Sequence, residues 1–177
     1  WKTTRERLET GKIDAIHGMY YSKERDTLVD FSPPHTIIYN SVFSRDNIQN
    51  IESLEDLRGK NIVVVEKGAL HEYLKRSGIS DNIILVDSDG AALRLVSSGK
   101  YDYALLGKLP GIYISKKLKL TNLKPSGPPI LPFKYCFAVK DGNLAFLSRI
   151  NESLAILKKT GRYQQIYNKW LGVYEPK

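Results

Sequence analysis

Residues 18–34 read GMYYSKERDTLVDFSPP and concentrate groups able to hold a small polar molecule. Gly18, two tyrosines, Tyr20 and Tyr21, and a serine precede Arg25, and Pro33-Pro34 closes the stretch. A guanidinium presents two parallel N–H donors that match a planar carboxylate. Arg25 is either a grip for an anion at the mouth of a cleft or a solvated surface charge, and the residues alone leave both readings open. A second anion contact needs no particular side chain. Gly68, Ala69 and Leu70 follow the apolar run NIVVV and open a helix, whose first N–H groups and positive dipole end attract a carboxylate.

Other chemistries find less support. His17, His35 and His71 are far apart in sequence and lack the i, i+4 spacing of a metal pair, and no Gly-x-Ser-x-Gly or phosphate-cradling motif is present. No metal and no cofactor is expected. The single cysteine, Cys136, excludes an internal disulfide and a cysteine-built zinc site. Between Tyr135 and Phe137 it reads as a small core hydrophobe. The formal net charge of +8 is spread from Lys2 to Lys177 and interleaved with acids, as in SKERD and ESLEDLRGK. That pattern describes a solvated basic surface, not a nucleic-acid partner. Lys116, Lys117 and Lys119 form the densest basic group and read as the polar end of a helix.

The elements that position these residues can be read from punctuation and period. With 177 residues, 42% hydrophobic and 26% charged, the chain can bury a core as one large domain or two small lobes. No apolar run approaches the ~18–20 residues of a bilayer span. LETGKIDAI at 8–16 returns as VSSGKYDYALL at 96–106, each a helix end, a glycine stop, a tight connection and an apolar strand. Between the copies lies a βαβα succession. NIVVV (61–65) is a β-branched run suited to a strand covered on both faces, Gly68 opens a helix through about Ser77, and NIILV supplies another strand. Asp87 or Ser88 then caps a helix ending at Gly99. Near the end, Asn143 caps a helix with Leu147, Ile150, Leu154 and Leu157 on one face, stopped by Gly161. A second helix carries Tyr163, Ile166, Tyr167, Trp170 and Leu171 as an apolar stripe, expected to be core.

These stretches resemble the type 2 periplasmic solute-binding proteins, of the amino-acid-binding branch. GKIDAIHGMYYSKERDTLVDFSPPH is similar to that family's Gly-Lys-x-Asp-Ala, Gly-Met, Thr-x-Glu-Arg and Asp-Phe-Ser-x-Pro-Tyr series. IESLEDLRGKNIVVVEKGA resembles its Leu-x-Asp-Leu-x-Gly-Lys stretch, strand and turn, and LAILKKTGRYQQIYNKWLG its closing helices. The resemblance implies an α/β fold of two lobes, each a doubly wound sheet, with a ligand between them. Lobe 1 would hold residues 1–43 plus 138–177 and lobe 2 residues 44–137, with crossing strands near 38–45 and 134–140. Family members carry about fifty further residues at the start of lobe 1, so this lobe is expected to lack its N-terminal segment and some ligand contacts.

By the same resemblance, Arg25 occupies the position of the arginine that pairs with the ligand carboxylate. Its replacement by Ala is expected to abolish binding and leave the melting temperature nearly unchanged. Tyr20 stands where amino-acid binders have Thr or Ser, Leu70 replaces a hydroxyl, and Gly107 replaces the acid that meets the ligand ammonium, leaving Glu66 as the substitute. Tyr20, Tyr21 and His35 suggest an aromatic-lined pocket with a few polar groups.

The resemblance implies a binding protein, not an enzyme, although some relatives on this fold are dehydratases or transglycosylases. PPILPFKYCFAVKDGN followed by NKWLGVYEPK looks more like the sensor domains fused to bacterial histidine kinases or cyclic-nucleotide signalling enzymes than like free receptors. The implied partners are a small-molecule ligand, an amino acid or other carboxylate, and a membrane-anchored signalling module in the same chain. The alternative partner is the permease of an ABC transporter. Either places the domain outside the cytoplasm, membrane-tethered in the sensor case.

Overall fold

The computed structural model describes residues 1–172, and residues 173–177, the end of NKWLGVYEPK, lie outside the described residues. By internal contacts the chain forms two units, residues 1–37 with 134–177, and residues 38–133. In chain order the elements are α1 (Lys2–Glu9), β1 (Ala15–Tyr20), α2 (Lys23–Asp26), β2 (Val29–Phe31), β3 (Thr36–Arg45), a 3-10 turn (Leu54–Leu57), β4 (Ile62–Val65) and α3 (Ala69–Ser77). They continue as β5 (Ile83–Val86), α4 (Asp89–Ser97), β6 (Tyr103–Gly107), α5 (Lys108–Lys117), β7 (Leu123–Lys140), α6 (Leu144–Lys159) and α7 (Arg162–Trp170). The chain passes from one unit to the other within β3 and again within β7. The mixed α/β architecture is the one expected of a type 2 periplasmic-binding-protein chain.

In the second unit, β4 pairs in parallel with β5 and β6, while β3 runs antiparallel to β6 with Val42 opposite Leu105 and Phe43 opposite Ala104. Strand alternation divides the apolar residues between two faces. Val42, Ile62, Val64 and Leu105 join Leu70 and Leu74 of α3 in one core. Phe43, Val63, Ala104 and Leu106 join Ala92, Leu93 and Val96 of α4 in another. The unbroken apolar run at 61–65 thus serves a strand covered on both sides, as its composition indicates.

The repeated sequence unit repeats in backbone detail. After α1, the N–H groups of Lys12 and Ile13 both reach the Arg7 carbonyl, and Gly11 has φ +71. After α4, those of Lys100 and Tyr101 both reach the Leu95 carbonyl, and Gly99 has φ +81. A left-handed residue lets the chain reverse and satisfy helix-end carbonyls, and glycine reaches that conformation at least cost. Each stop delivers the chain into a strand, β1 or β6.

In the first unit, the C-terminal part of β7 is the centre of an antiparallel sheet, flanked by β1 (Ile16 opposite Ala138, Tyr20 opposite Tyr135) and β2 (Phe31 opposite Ala138). Leu8, Ile16, Met19, Val29 and Ala138 form its core. Cys136 is buried, and desolvation raises its thiol pKa to about 11, as suits a packing residue.

Two helix expectations are corrected. Asn143 occupies the N-cap position of α6 but makes no side-chain cap hydrogen bond. The stripe of α7, expected to be core, contains no buried residue, with Ile166 45% and Trp170 64% exposed. Helical spacing defines an apolar face and does not supply its cover. Among the described residues of α7, Tyr163 donates its hydroxyl to the His35 carbonyl oxygen. Lys158 and Lys169 lie over the Tyr163 and Trp170 rings, at 5.7 and 5.0 Å from their centroids.

Candidate functional site

Each unit carries one group of candidate residues. In the first, β1 ends at Tyr20 and Ser22 caps α2, its Oγ accepting the Arg25 N–H at 3.2 Å. This tight turn brings the Arg25 side chain back along its own strand end. Arg25 is 2% exposed, which overturns the solvated reading. Its Nη1 donates to the Tyr20 carbonyl at 3.2 Å, and the guanidinium stands 5.7 Å from the Trp1 ring centroid. A buried guanidinium that holds a backbone carbonyl has a structural duty. The expectation that Arg25→Ala leaves thermal stability unchanged is corrected accordingly.

The paired tyrosines diverge because consecutive strand positions face opposite ways. The Tyr20 ring meets Tyr135 at 5.2 Å between centroids. Tyr21 instead packs on Phe31 at 5.4 Å, donates its hydroxyl to Asp26 Oδ2 at 3.3 Å and lies under Lys134 Nζ. The Asp26 charge, assisted by desolvation, raises the Tyr21 phenol pKa, so Tyr21 stays neutral. Gly18, two residues before Tyr20, is where the Tyr135 ring crosses β1: a Cβ there would stand 2.4 Å from it. His35 completes the group, 5.5 Å from Tyr135 and 5.1 Å from Phe137.

Thus Gly18, Tyr20 and His35 converge on Tyr135, a residue that sequence reasoning passed over except as a neighbour of Cys136. His17 and Phe137 also belong here, with His17 stacked on His35 at 6.3 Å. The i, i+2 alternation of Tyr135 and Phe137 was the available signal. Two of the three dispersed histidines therefore do meet, although no group of three His, Cys, Asp or Glu suited to a metal occurs among the described residues.

His35 Nε2 is buried and without a hydrogen-bond partner, and burial leads the causes that lower the His35 pKa, with His17 and Lys158 charges adding to it. A histidine with a depressed folded pKa binds its proton more weakly in the native state. Stability is then present above the unfolded value of about 6.5 and is lost as pH falls from there toward the folded pKa, below which the loss levels off. Melting curves between pH 8 and pH 5 should show this component, and His35→Phe should lack it. An identical pH profile in the two proteins would contradict it.

In the second unit, β4 leads through Glu66 and Lys67, the latter at φ +56, to Gly68 at the N-cap of α3. No side chain caps this helix start. The leading N–H groups, from Ala69 onward, thus form an electropositive tip. Gly68 fits because a Cβ would approach the Val65 carbonyl oxygen to 3.1 Å. Lys67 N–H donates to His71 Nδ1 at 3.0 Å, and burial leads the causes that lower the His71 pKa. Leu70 differs from expectation: its side chain is 7% exposed and part of the core, so it offers the tip only its backbone N–H. Glu66 is exposed, its N–H continuing the strand pairing to the Val86 carbonyl at 2.8 Å. Gly107 is buried at the end of β6 and the start of α5, with Pro110 Cγ 3.1 Å from where its Cβ would be.

The chain matches the family described as bacterial extracellular solute-binding proteins, family 3, over residues 1–173, and it belongs to that family. A crystal structure of a histidine kinase sensor domain with similarity to periplasmic binding proteins is 40% identical, covers 99% of this chain and 77% of its own, and has a TM-score of 0.94. The L-cystine-binding protein TcyJ of Escherichia coli strain K12 is 26% identical across 97% of this chain and 65% of its own length. The ABC transporter glutamine-binding protein GlnH of Bacillus subtilis strain 168 is 29% identical across 96% of this chain and 62% of its own. The chain thus spans less than two thirds of the length of these two curated relatives.

Proposed function

We propose that this chain is the extracytoplasmic ligand-binding part of a membrane-tethered sensor, probing for a small carboxylate-bearing solute. The observation that carries the sensor reading is the 40% identical histidine kinase sensor domain, which superposes over 99% of the chain. In the first unit the proposed ligand contacts are Arg25 with Gly18, Tyr20, Tyr21 and His35. In the second unit they are the start of α3 at Gly68, Ala69 and Leu70, with Glu66 and Gly107. Ligand binding shifts an existing conformational equilibrium of the domain, to the extent that the ligand prefers one of its forms. The domain acts by binding, and the signalling module lies in the same polypeptide.

A receptor for an ABC transporter is the second reading, favoured by the glutamine-binding relative of Bacillus subtilis. A glycine at 107 in place of an acid argues for a carboxylate whose ammonium is absent or met by Glu66. The test is a thermal-shift and calorimetric screen of amino acids and of aliphatic and aromatic carboxylates on the full-length protein. At a ligand concentration of about a hundred times Kd, preferential binding to the folded form adds about 2.7 kcal/mol. Carboxylates raising the melting temperature, and a kinase module following in the same reading frame, are the expected results. A screen answered only by uncharged solutes overturns the ligand class, and a stop codon beside permease genes overturns the sensor.

A further inference from the structure

The second unit contains a cavity of about 710 Å³ outside the proposed site, bordered by Phe43, Ile112, Leu120 and Leu123. These apolar walls lie at the margin of the core formed around Phe43 and α4. The size falls in the range of small-molecule pockets, where apolar walls carry a few polar groups that orient the ligand. Lys116 and Thr121 are among its polar lining, and two further polar groups there are unusual.

The first is Ser115, which lines the cavity while being only 8% exposed; its Oγ is buried and has no hydrogen-bond partner. A serine within a helix ordinarily bonds a carbonyl one turn back or water, and a buried hydroxyl left unsatisfied destabilises the fold. The second is Lys119, which also lines the cavity and holds φ +56. It ends α5 in a Schellman arrangement: Leu120 N–H donates to the Ser115 carbonyl at 2.9 Å and Lys119 N–H to the Lys116 carbonyl at 3.1 Å. Glycine is the usual residue at this left-handed position, since a Cβ there is strained. Strained backbone and orphaned polar groups cluster at ligand sites. Here both occur on one helix end, beside one apolar cavity.

We propose that this cavity is a second ligand site, taking a free amphipathic monocarboxylate whose apolar body fills the space along Phe43 and Leu123. The Ser115 hydroxyl donates a hydrogen bond to the carboxylate, and the Lys119 ammonium supplies the opposite charge.

The proposal is tested by calorimetric titration of the full-length protein with decanoate, with decanol and with vesicles of anionic phospholipid. Decanoate is expected to bind, decanol to bind at least tenfold more weakly, and vesicles to be ignored. Ser115→Ala removes the orphaned hydroxyl, and Lys119→Gly relieves the backbone. Each is expected to raise the melting temperature by roughly 2–4 °C while weakening decanoate roughly tenfold. Opposite signs for stability and affinity separate a ligand contact from a folding defect. No decanoate binding, equal binding of decanol, binding only to vesicles, or decanoate affinity unaltered in both variants overturns the site. None of these outcomes bears on the proposed solute site, whose variant is Arg25→Lys.

Discussion

Arg25→Ala is expected to lower stability by about 2–4 kcal/mol, because it empties a buried volume and strips the Tyr20 carbonyl of its guanidinium donor. For a chain of this size that is a fall in melting temperature of roughly 5–15 °C. The side chain is 2% exposed, and its place between the Tyr20 carbonyl and the Trp1 ring cannot be refilled by a methyl group. Under the proposed function the same substitution removes the carboxylate fork, so affinity falls at least a hundredfold. The two effects are separated by Arg25→Lys, which keeps the positive charge and most of the stem but not the fork. Its stability loss should be smaller, about 1–2 kcal/mol, while carboxylate affinity still falls strongly. Affinity is to be measured well below each variant's melting temperature. Wild-type carboxylate affinity in Arg25→Lys would remove Arg25 from the ligand site and leave it a structural residue.

What the sequence made legible was local, and what it hid was non-local. The strand at 61–65, the helix opened by Gly68 and the two glycine stops at Gly11 and Gly99 are all written in a few adjacent residues, and the structure contains each of them. The convergence of Gly18, Tyr20 and His35 on Tyr135 depends on β1 pairing with β7, more than a hundred residues away. No periodicity within either strand announces which strand will lie beside it. Arg25 illustrates a second limit: its motif position is readable, but burial depends on Ser22 turning the chain so that the side chain returns to Tyr20. The α7 stripe shows the converse, a clear local signal whose cover is a separate, non-local matter. At Lys119 the local signal was absent altogether, since the left-handed helix end there carries a lysine where a glycine would have marked it.

Gly127→Ala is expected to be more damaging than any substitution above, with a loss exceeding about 4 kcal/mol or failure to accumulate as folded protein. Gly127 lies in β7 at φ +74, and a Cβ built there would stand 2.0 Å from the Ile51 carbonyl oxygen and 2.9 Å from its carbon. The obstructing atoms are backbone, which cannot rotate away as a side chain would. Nor can that backbone shift as a whole, because Ile51 N–H is held by Ser126 Oγ at 2.9 Å and the Ile51 side chain is 2% exposed within the core. Left-handed backbone alone costs an alanine roughly 1–2 kcal/mol, so strain explains only part of the expected loss. Gly59→Ala supplies the comparison, since Gly59 has φ +72 but nothing within 4 Å of its would-be Cβ. Urea unfolding of both variants should give Gly59→Ala a loss of about 1 kcal/mol and Gly127→Ala several times that. Equal losses would mean that the 49–53 segment yields to β7. The close contact of Ser126 and Gly127 with Ile51 would then not be what fixes the strand that continues to Tyr135.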